Sequence, residues 1–426
     1  MHVFNGLQLF FLCCHKTHLP VVIGTMNRMF STLFLLLISV QAFSETITLQ
    51  EYLSKVKEQS LELKIADSKL EVLDAKASGL TIPPPMVSFA KMNEADGNSA
   101  TGFEVSQMIP FPTKISADYS ARKYEFQAQQ KNNLSLRKQT YLAARLIYLK
   151  LWESQERLAI LNEKRTILKN HVKLSRAVTR SDSFASVHLL KTESDLDFLE
   201  NEMESATQNI LEKQLEAAVF INADPASFKF AAVDPKPSQV PPITSIEESN
   251  VYQAKLLGVE SLKAKERNAK SEWLPDISLK YKEMGATPTS MKYNEFMIGV
   301  TLPFLFPWQP YAVSSLTSKE RRIAEYELEK EKRNFGSDKV GLISRIESLR
   351  KQLSTLENKL IPKAEKRMKI AHNIVPRDME TLQDHRETME AFPELKLRAL
   401  EIRIDFENAV SALEKYSNVT KDMGNE

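Results

Sequence analysis

The sequence predicts a mainly α-helical chain with a small β part. Long antiparallel coiled-coil helices would form an α-barrel tunnel, and two β-hairpins would contribute to a barrel shared between chains. Three observations lead there. The chain repeats itself, each repeat carries a pair of short period-two segments, and most of the remainder follows a 3,4 apolar spacing.

Pro85-Met-Val-Ser-Phe89 matches Pro275-Asp-Ile-Ser-Leu279, and Phe103-Glu-Val-Ser-Gln-Met-Ile-Pro-Phe111 matches Phe296-Met-Ile-Gly-Val-Thr-Leu-Pro-Phe304. The two offsets are both about 190 residues, so the halves are nearly equal in length. The first half covers 45–222 and the second 246–418, and a tail follows over 419–426. Between the halves lies 223–245, whose Pro225, Pro235, Pro237, Pro241 and Pro242 read as an irregular connector.

Within the second half, residues 276–282 put Ile277, Leu279 and Tyr281 on one side and Ser278, Lys280 and Lys282 on the other. Residues 296–302 align Phe296, Ile298, Val300 and Leu302. Period two means one buried or lipid-compatible face and one wet face. The first-half strands are less regular, since Gln107 falls on the apolar side. Polar, turn-rich loops around 93–99 and 286–294 join each pair.

The helices show knobs-into-holes rhythm. Leu189, Thr192, Leu196, Leu199, Met203, Ala206 and Ile210 follow it, as do Phe392, Leu395, Ala399, Ile402, Phe406, Ala409 and Leu413. So do Ile346, Leu349, Leu353, Leu356 and Leu360. Helices over 113–178 and 312–373 would each span roughly 90–100 Å. Breaks at 179–183 and 374–378 follow, with capping residues and Pro376 stopping the helix, and shorter helices return over 184–222 and 379–417. Helices over 54–79 and 247–272 lead into the hairpins. A leading and a returning helix, stacked end to end, equal one long helix, giving four columns per chain. Pro362 and Pro393 predict local kinks.

Composition narrows the function. Among 426 residues only 11 are glycine against 19 proline, and no glycine cluster suits a phosphate-binding loop, which argues against nucleotide chemistry. Basic and acidic residues balance, 57 to 55, so nucleic acid is a poor partner. Mean hydropathy of −0.31 is too low for a polytopic helical membrane protein.

Residues 1–44 read as a leader. Arg28 supplies the positive n-region, 30–40 the short apolar core and Ala42-Phe-Ser44 the cleavage signal, with Met26 as the simplest true initiator. Removing 1–44 removes Cys13 and Cys14, and with them any disulfide or thiolate site. An exported chain with four short strands cannot close a transmembrane barrel alone, because at least eight are needed to remove the open edges. Three chains would give twelve strands and twelve helical columns; two would give a pore more readily filled by its own side chains.

With those features in order, the mature chain resembles the TolC family of outer-membrane efflux proteins over nearly its whole length. Trp273-Leu-Pro-Asp-Ile-Ser-Leu279, Gly299-Val-Thr-Leu-Pro-Phe-Leu-Phe306, Leu189-Leu-Lys-Thr-Glu-Ser-Asp-Leu196 and Leu360-Ile-Pro-Lys-Ala-Glu365 carry the resemblance, the last leaning toward the heavy-metal-efflux branch. It implies a homotrimer crossing the outer-membrane lipid, with a helical tunnel in the periplasm. It further implies docking to a periplasmic adaptor (membrane fusion) protein and an inner-membrane pump, with no cofactor and no catalysis. Pro376 stands where the family often has glycine, and Pro393 is a second departure.

The resemblance also directs attention to residues. Asp384 falls where acidic residues can narrow the periplasmic mouth, with Thr381 at the preceding acidic position. A solvated helix face is the equal alternative. Arg180, Asp182, Arg377 and Asp378 sit at the breaks as adaptor-contact candidates, although break residues are polar in any case. Phe304, Phe306, Trp308 and Tyr311 suit the membrane interface, and packing at the bend from barrel to helix is a compatible role. His171, His188, His372 and His385 flank the breaks; a metal-handling ring near the tube entrance is one reading, but no local spacing resembles a metal site, so we favour capping, pairing or solvent-facing roles. The alternative function is a periplasmic coiled-coil adaptor or scaffold, which would share the leader and the heptads.

Overall fold

The structure, a computed structural model, describes residues 45–79, 81–93, 97–179, 185–225, 228–242, 245–376 and 378–417. The expected leader at 26–44 and the tail at 419–426 lie outside them. From Thr46 onward the chain forms one compact unit.

After a short strand, β1 (Glu45–Ile47), come helices α1 (Leu49–Gln59) and α2 (Leu61–Ala77), where the sequence suggests a single helix starting at Ser54. The earlier start has a local cause. Thr48 and Glu51 form a reciprocal capping box, with the Glu51 N–H donating to Thr48 Oγ1 at 3.3 Å and the Thr48 N–H to Glu51 Oε2 at 2.8 Å. Ser60 takes an extended ψ and separates the two helices.

Strands β2 (Met86–Asn93) and β3 (Ser99–Ile109) make the first hairpin. Helix α3 (Pro112–Thr179) then runs 68 residues, about 100 Å, with proline at its first position where no N–H is needed. Helix α4 (Ala185–Phe220) returns, and strand β4 (Phe230–Ala232) lies in the connector and pairs with β1. The second half repeats the order: α5 (Asn250–Ser271), β5 (Ile277–Met284), β6 (Tyr293–Val300), α6 (Trp308–Thr355), α7 (Ile361–Ala371) and α8 (Met379–Glu414).

Expected heptad positions are buried or half-buried. Leu199 and Ala206 of α4 pack with Leu161 and Leu168 of α3, Thr192 of α4 is fully buried, and Ile346 and Leu349 of α6 pack with Ile402, Phe406 and Leu413 of α8. Leu360 is the exception, at 40% exposed. A π turn over Leu356–Leu360 adds one residue to the turn, so Ile361 takes the packing position instead. That turn sits before Pro362, which cannot donate to the residue four back, so the expected kink site becomes a widened turn.

Leading and returning helices meet where the columns require. The end of α4 abuts α1 against the middle of α3, around Tyr52, Tyr148, Ala217 and Phe230, all fully buried. Likewise Tyr252 of α5 and Tyr416, just past α8, meet Phe335 of α6.

The hairpins join into one antiparallel sheet of order β2-β3-β5-β6. Gly102 of β3 faces Met284 of β5, and a Cβ there would run into the Glu283 carbonyl. Only glycine permits this approach of the two hairpins.

Candidate functional site

Register fixes the two faces of the sheet. Ile109, Ile277 and Val300 share one row; Leu279 and Ile298 lie in the next, beside Gln107; Val87, Val105, Tyr281 and Phe296 follow, and then Phe89 and Phe103. Period-two alternation puts all of them on one side. That side is largely uncovered among the described residues: Phe89 is 76% exposed and Ile298 68%. From Ile109 to Phe103 the band is about 20 Å tall at 3.4 Å per residue. The misfit Gln107 turns its amide to the backbone, donating to the Pro83 carbonyl at 2.7 Å and its neighbour Met108 at 2.8 Å.

The other face is wet. Glu104 pairs with Lys280 at 2.7 Å, Lys282 stands opposite Glu295, and Ser88, Ser106 and Ser278 share this side with several methionines. Strands β2 and β6 are hydrogen-bonded on one side only, so both edges of the sheet are open.

Strand β6 stops at Val300, so Leu302, expected within it, leads instead into a short turn at Pro303–Leu305. Phe304, Phe306, Trp308 and Tyr311 follow, all exposed, with Phe306 edge-on to Trp308 at 5.4 Å. Apart from that ring contact, all four side chains remain more than half exposed. The joint between sheet and helices rests on Asp276, whose carboxylate accepts from the Phe111 N–H at 3.0 Å and from Lys114 at 2.9 Å. Lys114 also reaches Glu272 at 3.4 Å, tying α3 to the approach of β5.

At the far end of α3 lie the helical breaks. Arg180, Asp182 and Arg377 fall outside the described residues. Asp378 caps α8: it accepts from the Thr381 N–H at 2.9 Å, and that bond holds its carboxyl below the usual range. Thr381 completes the box by accepting from the Asp378 N–H at 3.3 Å. Asp384 lies exposed one turn further, beyond the fully buried Leu382.

Sequence reasoning missed what lies between these helices. Arg386 of α8 bridges Asp195 of α4 at 2.7 Å and Glu390 at 2.8 Å. Beside it, His171 of α3, His188 of α4 and His385 of α8 pack together, with ring centroids 6.0 and 6.3 Å from His171. His171 is 2% exposed and neither of its ring nitrogens has a hydrogen-bond partner. The three rings pair with one another, His385 also donates to the Ala371 carbonyl that ends α7, and His372 alone of the four is exposed. Burial, reinforced by Arg386 and the two other imidazoles, pushes the proton affinity of His171 down to about 4. His188 and His385 are lowered as well, chiefly by burial. Among the described residues no group of His, Cys, Asp or Glu is arranged to hold a metal ion, and no helix is long and apolar enough to cross a membrane.

No family model matches the sequence, and neither does any curated protein sequence. Solved structures do match in fold. The Campylobacter jejuni CmeC outer membrane channel superposes with a TM-score of 0.74 at 14% identity, covering 86% of this chain and 85% of that one. The open state of the Neisseria gonorrhoeae MtrE outer membrane channel gives 0.68 at 14% identity over 86% and 88%. The Vibrio cholerae outer membrane protein VceC gives 0.65 at 11% identity over 85% and 96%. The chain therefore has the fold of the TolC-family outer-membrane channels.

Proposed function

We propose that this chain is the outer-membrane duct of a tripartite efflux system, a passive gated channel rather than an enzyme. The observation that carries the reading is the sheet. One face is a tall, uncovered apolar band, the other is polar, and both edges are unpaired. Exposed apolar surface on this scale needs a partner, and a barrel edge in lipid needs closing. Three copies, joined β6 to β2, supply both: a homotrimeric twelve-stranded barrel, apolar outside and polar within. The aromatic cluster after β6 then lies at the membrane interface, where amphipathic rings are favoured.

Below the barrel, α3 and the α6–α7 column continue as a helical tunnel in the periplasm. Its tip is the surface for a periplasmic adaptor, which connects to an inner-membrane pump. Small solutes or metal ions are the cargo class. An adaptor or scaffold would have no use for an apolar sheet face of this height. The leader expected at 1–44, with cleavage after Ser44, fits export of the chain.

At the tip, three copies of Asp384 around the trimer axis would favour cations and bind a divalent ion. In planar lipid bilayers the purified protein should give stepwise conductance that divalent cations on the tip side reduce. The Asp384→Ala protein should lose much of that block and favour cations less. Absence of any conductance would count against the duct, and unchanged block in Asp384→Ala would make Asp384 an ordinary surface carboxylate.

A further inference from the structure

The packed imidazoles of His171, His188 and His385 lie at the only described level where α3, α4 and α8 are held together by titratable rings, close to both helical breaks. We propose that this trio is a proton-sensitive latch, keeping the tip helices packed at neutral pH and releasing them when the surroundings acidify. The inference rests on the duct reading for its consequence, which is a tip that opens in acid.

The geometry leaves a proton on His171 without an acceptor. On α4 the charged and titratable neighbours are His188, Lys191 and Asp195; on α8 they are His385, Arg386 and Glu390; His372 follows α7. Both carboxylates are already engaged by Arg386. A proton on His171 would thus sit buried beside a guanidinium and two imidazoles, without an acceptor. His385 gives its one bond to the Ala371 carbonyl, and the remaining buried ring nitrogens have none.

The sign follows from linkage. The packed state binds a proton at His171 only near pH 4, whereas a hydrated imidazole binds one near 6.5. The separated state therefore holds more protons between those values, and packing weakens as pH falls from about 6.5 toward 4. At pH 5 the balance moves toward separation by up to about thirtyfold per chain, with no change expected above about pH 7.

The mature chain has no cysteine, which makes a direct test simple. Ser175, one turn from His171 and 1% exposed, is replaced by cysteine in the leader-free protein, residues 45–426, extracted in detergent. Its maleimide labelling rate is compared with that of a cysteine at exposed Ser194, to cancel thiol ionisation. The normalised rate should rise between pH 7.5 and 5.0 by ten- to thirtyfold. It should stay flat when His171→Phe is added, and respond more weakly with His385→Gln should the first variant fail to assemble. A flat response without these substitutions, or an equal rise in both histidine variants, overturns the latch. Acid-induced labelling in a preparation that never conducts would uphold the latch and count against the duct.

Discussion

Ile298→Arg should abolish assembly in the outer membrane. Ile298 is centred in the apolar face of β6, opposite Leu279 and two-thirds exposed in the isolated chain. If that face meets lipid, an arginine near mid-bilayer costs about 2–4 kcal/mol per chain, and a trimer bears it three times. Gly299→Arg is the matched control. Gly299 lies one residue on and therefore on the polar face, opposite Ser278, and an added Cβ there meets only ordinary contacts at 3.6 Å. We expect membrane-embedded, heat-resistant oligomer from Gly299→Arg and none from Ile298→Arg. Equal recovery of both would mean that the apolar face does not meet lipid.

The largest loss of stability should come from Tyr148→Ala. Tyr148 is fully buried where β1, α1, α3, α4 and β4 converge, with its ring 5.7 Å from Tyr52 and 6.2 Å from Phe230. Its hydroxyl donates to the Ile47 carbonyl at 2.7 Å and accepts from the Val233 N–H at 2.8 Å. Removing the ring leaves a cavity at the joint between α1 and α4 and should lower unfolding free energy by about 3–5 kcal/mol. Tyr148→Phe keeps the ring and strands the Val233 N–H, so about 1–2 kcal/mol is expected. Urea titration of the three proteins measures both. Equal midpoints would show that the joint does not hold the columns together.

Much of this was legible in the chain. Period two located β5 and β6, because half-buried strands must alternate, and the heptads located the α3–α4 and α6–α8 seams. Their failures have physical reasons. Leu360 fits its heptad in sequence, but the π turn shifts the phase by one residue just ahead of it, and only Pro362 hints at this. Strands β1 and β4 are three residues each, too short to show any period, and they exist because Tyr148 and its neighbours gather them. The candidate site divided in the same way. The aromatic run after β6 is contiguous and was visible, and Asp378 was recognisable as a capping residue. The histidine trio was not, because its members stand far apart along the chain and only the helix packing brings them together. Arg386 had a local partner in Glu390 four residues on, but its link to Asp195 in the other half of the chain left no local signal.

The central claim is that three copies of this chain close one barrel in the outer membrane. Native mass measurement of protein extracted from separated membranes tests it most directly. The account predicts detergent-dependent recovery with outer-membrane markers and a mass of three leader-free chains. Recovery without detergent, as a soluble periplasmic monomer, would contradict it.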